Sequence, residues 1–379
     1  MARDEVAFVA RTPDAVETHW RPLMGEPGSR TVGAFTVVPA LIQQLGADPS
    51  PIFAEAGVTY ETLADRSARI AWGSLTHLLR TAALRTGCRH FGLLVGREWR
   101  LSDLGLLGEL VRHSPTIGAA LNELIANQHL NSEGTLAYLR RQGDDIDLGY
   151  ASYVAFPSGA DIVYEAVLAA AANFMRELAG DRWNPSRVQF QHSPPSDLAP
   201  YREHFRAPLN FDAKSCALRF SADWLTRRIR GVTPERLRRA REQAKAVDKA
   251  VLLDKIFRAL RILLLHGSAS GADVAHALAM HRRTFNRRLN SEGTTFQQVL
   301  DRVRFAVAKE LLESSQLTLP KISEALCYAD EASMIHAFRR WTGTTPGAWR
   351  QSARTDRGCE NAPQRDSIRA ANDATDMTE

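Results

Sequence analysis

Between Ala272 and Arg350 the chain twice repeats one plan, a short helix, a turn and a second helix, and a longer amphipathic stretch joins the two copies. Few folds accept that repeat. Each unit must bury one face against a neighbouring helix and leave the outer face of its second helix uncovered. In the first copy, ADVAHALAMHRRTFNRRLNSEG, Phe285 and Leu289 lie one turn apart and make the inward pair. At 100° per residue, Arg283 and Arg287 then point almost directly away, Asn286 and Asn290 lie on one shoulder, and Arg282 and Arg288 sit nearer the edges. Arginine and asparagine bond guanine and adenine edges bidentately in the major groove, so this face predicts a DNA partner.

Ala272–Leu278 is expected to support this helix, with Ala279-Met280 as the turn and small residues at Ala275 and Ala279 permitting a close crossing. The linking helix is predicted over Thr295–Ser314, with Val299, Leu300, Val303, Val307 and Leu311 in its stripe. In the second copy Pro320–Leu326 supports and Cys327–Asp330 turns. Its outer helix runs to Thr342, stopped by Gly343 and Pro346, with Asp330 as N-cap. Met334, Phe338 and Trp341 are its inward residues. Two such helices joined by one long helix would meet adjacent major-groove turns, roughly 34 Å apart.

Charge follows this division. Residues 226–355 hold 24 Lys and Arg against 12 Asp and Glu, a net of +12, whereas residues 1–225 carry −4 and the tail from Asp356 carries −3. A basic C-terminal module on a mildly acidic larger one points to a polyanionic partner for the first only. With 379 residues, 44% of them hydrophobic and 24% charged, the chain has ordinary globular cores. Its N-terminus lacks an apolar signal region and no stretch is long enough for a membrane helix, which predicts a cytoplasmic protein without a membrane partner. Cys88, Cys216, Cys327 and Cys359 have no metal-ligand spacing, so neither metal, disulfide framework nor cofactor is expected. Catalysis is not expected either, for there is no GxSxG, P-loop, HExxH or HxH cluster.

Upstream, residues 1–30 read as a flexible leader. Apolar spacings of three and four predict short helices over Val37–Leu45, Pro51–Ala56, Ile70–Thr86 and Leu101–Val111, and another opening at Ser114-Pro115-Thr116. The period then changes to two. Thr135–Arg141 and Asp145–Tyr153 read as a hairpin, Asp161–Leu178 as a helix, and Arg187–His192 and Cys216–Phe220 as further strands of a small antiparallel sheet, with a short helix near Tyr201–Phe205. Residues 31–225 therefore form an α+β effector-sensing and dimerisation domain, and 226–249 a solvated helical linker. Residues 250–352 form an all-α domain with two helix-turn-helix units joined by a long helix; within it Ala250–Leu265 covers the first unit. Residues 353–379 read as a disordered tail.

The stretches AMHRRTFNRRL, EGTTFQQVLDRVRFAVAKELL and FRRWTGTTPGAWR, with Ile322, Leu326 and Tyr328, resemble the C-terminal module of the AraC/XylS family of bacterial transcription regulators. The resemblance implies base-reading positions at Arg283, Asn286 and Arg287 in the first unit, in agreement with the helical wheel, and at Glu331, Ala332 and His336 in the second. Arg282, Arg288, Asn290 and Arg339 are the backbone candidates; Arg302, Lys309, Lys321 and Arg350 are phosphate clamps or plain surface charges. Ser323, Cys327 and His336 stand where the family usually has Ala, Gly and Arg, which predicts a tilted and weaker second reader.

Upstream, LGADPSPIFAEAG, HFGLLVG, LSDLGLLGELVRHSPTIGAAL and YREHFRAPLNFDA resemble the sensor domain of the subgroup labelled arabinose-binding, which includes the ornithine-utilisation regulator. These stretches read as packing and turns and identify no effector. Trp72, Trp99, His129, Tyr138, Tyr150 and Tyr153 are the aromatic candidates for an effector pocket. The expectation is a ligand-responsive, sequence-specific activator bound to double-stranded promoter DNA, with RNA polymerase, a small-molecule effector and a second copy of the chain as partners. A repressor, or an architectural DNA binder without an effector, is the alternative.

Overall fold

Glycine, proline and aspartate breakers chop the first third of the chain into short pieces. The computed structural model describes residues 28–360 apart from 155, 157–158, 248–251 and 279. In order come β1 (Ser29–Thr31), α1 (Val38–Gln44), α2 (Pro49–Ala56), α3 (Tyr60–Ala64), β2 (Arg69–Ala71), α4 (Trp72–Thr86), α5 (Phe91–Arg97), α6 (Leu106–Arg112) and α7 (Ile117–Ala126). Asp48 and Thr116 cap α2 and α7 by accepting backbone N–H bonds, and Gly57 and Gly87 end α2 and α4 in the left-handed region. The helix expected over Leu101–Val111 is broken: Leu101–Leu104 is a single 3-10 turn, and Gly105, at φ 55° and ψ −127°, starts α6 on a new axis.

The hairpin follows as β3 (Thr135–Gln142) and β4 (Asp145–Ser152), then α8 (Ala160–Ala179), β5 (Arg187–Gln189), α9 (Ala199–Phe205), β6 (Leu209–Asn210) and β7 (Cys216–Ser221). The sheet order is β3-β4-β7-β5-β6. The sheet is mixed and not purely antiparallel, because α9 makes a crossover that brings β6 beside β5 in parallel. Ser29–Thr31 pairs with β2, with Arg30 opposite Ile70, so the expected leader gives way to structure before residue 30; residues 1–27 lie outside the described part.

Alternation along the hairpin sends its faces to different domains. Ile146, Leu148 and Tyr150 join the core of the first domain. Leu136, Tyr138, Ala151 and Tyr153 pack with Phe257, Ile262 and Leu265 from the start of the second.

That second part comprises α10 (Pro234–Val247), α11 (Leu252–Leu265), α12 (Gly271–Ala277), α13 (Arg282–Ser291), α14 (Phe296–Ser314), α15 (Leu319–Ala325), α16 (Glu331–Thr342) and α17 (Pro346–Glu360). Two expectations need correction. The linker is not a solvated helix, because Leu237, Ala240 and Ala244 of α10 lie buried against Leu110, Leu106 and Leu130, and Arg241 pairs with Glu123 at 2.6 Å. The tail expected to be disordered from 353 is helical to Glu360; residues 361–379 lie outside the described part.

Helix α11 is shared. Ile256, Leu260 and Leu264 enter the C-terminal core, while Arg261, 2% exposed, donates to the Ser152 carbonyl at 2.9 Å. The domains also meet where Ser193 N–H donates to the Ser314 carbonyl at 3.1 Å and Gln316 N–H to Asp212 Oδ1 at 2.7 Å. At the same junction Glu310 of α14 keeps Oε1 buried without a hydrogen-bond partner. Burial raises its carboxyl from 4.5 to about 7, against the opposing pull of Arg261. A carboxyl raised on folding favours the protonated native state, so its contribution is present in acid and lost as pH climbs from about 4.5 to 7. Glu310→Gln should remove a decline of about 3 kcal/mol over that window, read as a flatter pH profile in denaturant titration.

The tightest helix contact is α5 on α8. A Cβ on Gly92 would lie 2.2 Å from the Ile162 carbonyl oxygen, and one on Gly96 2.1 Å from that of Ala166. These glycines let the backbones touch. Gly96→Ala must force the helices apart, with an expected cost of about 3 kcal/mol in chemical denaturation, the upper range for overpacking.

Candidate nucleic-acid interface

Helix α13 starts where His281, its N-cap, accepts the Arg283 N–H on Nδ1 at 3.3 Å. Phe285 and Leu289 are each 1% exposed and anchor it to the core, the Phe285 ring 6.1 Å from that of Phe296 at the start of α14. Thr295 and Gln298 form a reciprocal capping box there, which fixes where the linking helix departs. The outward face follows from this anchoring. Arg282, Arg283, Asn286, Arg287, Arg288 and Asn290 are all exposed. His281, Arg282, Arg283, Asn286, Arg287 and Asn290 line one shallow open depression, and Arg288 falls outside it. Among the described residues none of the four arginines has an ion-pair partner, so their donors are available to an incoming anion.

The second unit is built differently. Asp330 caps α16, accepting from Ser333 N–H at 2.6 Å and from its hydroxyl at 3.0 Å, and the Ser333 backbone bond holds its carboxyl below the usual range. Met334, Phe338 and Trp341 are buried. Ala332, His336 and Arg339 are exposed and Glu331 is half-buried. Arg340 pairs with Asp301 of α14 at 2.8 Å. This outer face is short of free cations.

Two of the three departures from the family pattern, Cys327 and Ser323, have local explanations. Cys327 sits at φ 55°, so the turn keeps its left-handed backbone without a glycine, at a strain of about 1 kcal/mol. Ser323, 3% exposed, donates to the Asp330 carbonyl at 2.8 Å and ties the supporting helix to the cap of α16. Arg304, a buried residue of α14 that the sequence reading overlooked, donates to the carbonyls of Leu326 at 2.8 Å and Cys327 at 2.7 Å and lies 4.0 Å over the Tyr328 ring. Its one available signal was a charge set inside the apolar stripe between Val303 and Val307.

Three of the four outlying charges are not plain surface. Lys309 is buried; Arg302 is half-buried with Nε unpartnered; half-buried Arg350 donates to the Leu317 carbonyl at 2.7 Å. Lys321 is exposed.

In the first domain a cavity of about 50 Å³ lies between the sheet and α8. Trp99 and Tyr150 line it, whereas Trp72, His129, Tyr138 and Tyr153 do not. Trp72 is wholly buried, with its indole donating to the Glu133 carbonyl at 2.7 Å. Tyr138 covers Gly149 from the face turned to α11, and His129 sits on the 3-10 turn Gln128–Leu130. Among the described residues no helix is long and apolar enough to cross a membrane.

Comparison with known proteins fits this division. Residues 46–229 match the arabinose-binding domain of AraC transcription regulator, N-term, and residues 274–352 match a helix-turn-helix domain. The ornithine utilization regulator of Pseudomonas aeruginosa is 27% identical over 318 residues, covering 82% of this chain and 93% of that protein. The HTH-type transcriptional regulator VirS of Mycobacterium tuberculosis is 26% identical with the same coverage of 82% and 93%. An uncharacterized HTH-type transcriptional regulator of Mycobacterium tuberculosis is 43% identical over 77 residues, 20% of this chain and 22% of that protein. With a first domain of this N-terminal type joined to the helical module, the chain belongs to the AraC family of DNA-binding, helix-turn-helix transcription regulators.

Proposed function

We propose that the chain is a ligand-responsive activator that sets α13 and α16 into adjacent major-groove turns of promoter DNA, with α13 as the principal reader. In this reading Arg283, Asn286 and Arg287 contact bases and Arg282, Arg288 and Asn290 contact the backbone. On α16, Ala332 and His336 meet bases while Arg339 meets phosphate. The observation that carries it is the exposed, unpaired arginine and asparagine face of α13, held outward by Phe285 and Leu289. RNA polymerase and a second copy of the chain are the further partners of this reading.

Control by an effector is supported by the placement of the hairpin. One face of β3 and β4 borders the cavity and the other packs on α11, so an occupant that moves the sheet bears directly on the DNA-binding part. Mapping the chromosomal DNA that the chain protects in its host, together with transcripts of adjacent genes in its presence and absence, tests the function. Discrete sites whose neighbours lose transcription without the chain are expected. A gain of transcription there would make it a repressor, and diffuse protection an architectural protein.

A further inference from the structure

Arg30 is a charged side chain in an apolar place. It is 2% exposed, and its guanidinium lies 4.7 Å over the Phe35 ring and 4.8 Å over that of Trp99. Nε donates to the Thr31 carbonyl and Nη2 to Asn131 Oδ1, each at 3.1 Å. Among the described residues no carboxylate pairs with it and Nη1 has no acceptor. Burial lowers it to about 10, and the opposing pull of Tyr150 offsets only part of that. A buried charge normally has a counter-ion.

Arg30 lines the cavity described above. Trp99, 3% exposed, lines it too and keeps its indole Nε1–H buried without an acceptor. The wall of the cavity thus carries a guanidinium with unused hydrogens, 4.8 Å over the ring of Trp99, whose own N–H is unused as well. Most of the remaining wall is apolar, including Leu104, Leu107, Leu148, Val167 and Phe174. Of its other polar residues, Asn131 is engaged with Arg30 and Thr31 and Tyr150 with Thr135, which leaves Gln128, too few partners for the hydroxyls of a sugar. One anionic head with a short apolar body matches it.

We infer that this cavity is the effector site and that it takes a small organic monocarboxylate, the carboxylate bound by Arg30 and the Trp99 indole N–H and the body held by Leu104, Leu107, Val167 and Phe174. The inference rests on the effector-responsive reading above. It adds the ligand class.

The test uses the full chain and thermal unfolding with straight and branched monocarboxylates of roughly two to four carbons, the size a cavity of about 50 Å³ admits, their primary amides, and L-arabinose. At least one acid should raise the midpoint saturably by several degrees, while its amide and arabinose leave it unchanged. Arg30→Gln should abolish the shift. Because that change could unfold the domain, Ala171→Leu, which fills the cavity and leaves Arg30 in place, should weaken binding of the same acid by about tenfold or more. Stabilisation by none of the acids, equal stabilisation by acid and amide, or unchanged binding in Ala171→Leu would overturn the assignment. Operator affinity measured with and without the acid separates the two readings. An acid that binds without altering it leaves the site standing and removes the effector role, whereas a response to arabinose alone removes the carboxylate and keeps the role.

Discussion

Replacing Arg283 and Arg287 together by alanine is expected to weaken binding to a selected operator by about 2 to 6 kcal/mol, on the order of 10² to 10⁴-fold, with less than about tenfold loss on random duplex DNA. The two side chains lie four residues apart on α13, both exposed, with the helix pinned behind them by Phe285 and Leu289. Each is free to place a planar pair of donors on a guanine edge, a contact that only the correct base completes. Neither supports the core, so the fold should be unchanged by circular dichroism. Salt titration distinguishes the alternative: phosphate contacts would lower the slope of log affinity against log salt by about 2 and weaken all sequences alike.

The second large effect lies at Asp147, on β4 of the first domain. Its side chain is wholly buried, accepts from Arg219 Nε at 2.7 Å and Nη2 at 3.0 Å, and pairs with Arg140 at 3.0 Å. Burial pushes its carboxyl up, and the bonds from Arg219 and Arg140 outweigh that and hold it below 3.8. A depressed carboxyl contributes above its unfolded value, so the network is intact at neutral pH and fails only in acid. Arg140 in turn donates to the Leu265 carbonyl at 3.3 Å, at the C-terminal end of α11, where a cation is favourable. Asp147→Ala removes the shared acceptor and leaves two half-buried cations facing each other. A loss of about 3 to 5 kcal/mol is expected in denaturant unfolding at pH 7. Asp147→Asn, which keeps the volume, should recover little of it.

How much of this could be read beforehand depended on period and length. The helices of the DNA-binding module are long enough for a 3.6-residue stripe to show, and their caps, Thr295 and Asp330, stand one residue before the turn they start. The hairpin alternates cleanly because its faces meet different neighbours. Strands of two or three residues, such as β1, β2 and β6, carry no period at all, and Gly105 breaks a stripe that continues through it in sequence.

Helix α10 misled through its charge: seven charged residues among its fourteen mask a narrow row of Leu237, Ala240 and Ala244. At the candidate sites, the wheel of α13 could be drawn from the sequence because only one helix is involved. The cavity could not, since it is assembled from β1, the sheet, α7 and α8, and its one cation lies in a stretch that looked like a leader.

Selection of bound sequences from a randomised duplex pool, with the wild-type chain and the Arg283→Ala, Arg287→Ala double variant side by side, tests the central claim most directly. The wild type should enrich a motif of two blocks separated by about one helical turn, the stronger block losing its base preference in the variant while the weaker one persists. No enrichment by the wild type, or the same motif from both proteins, would contradict the assignment of α13 as the sequence reader.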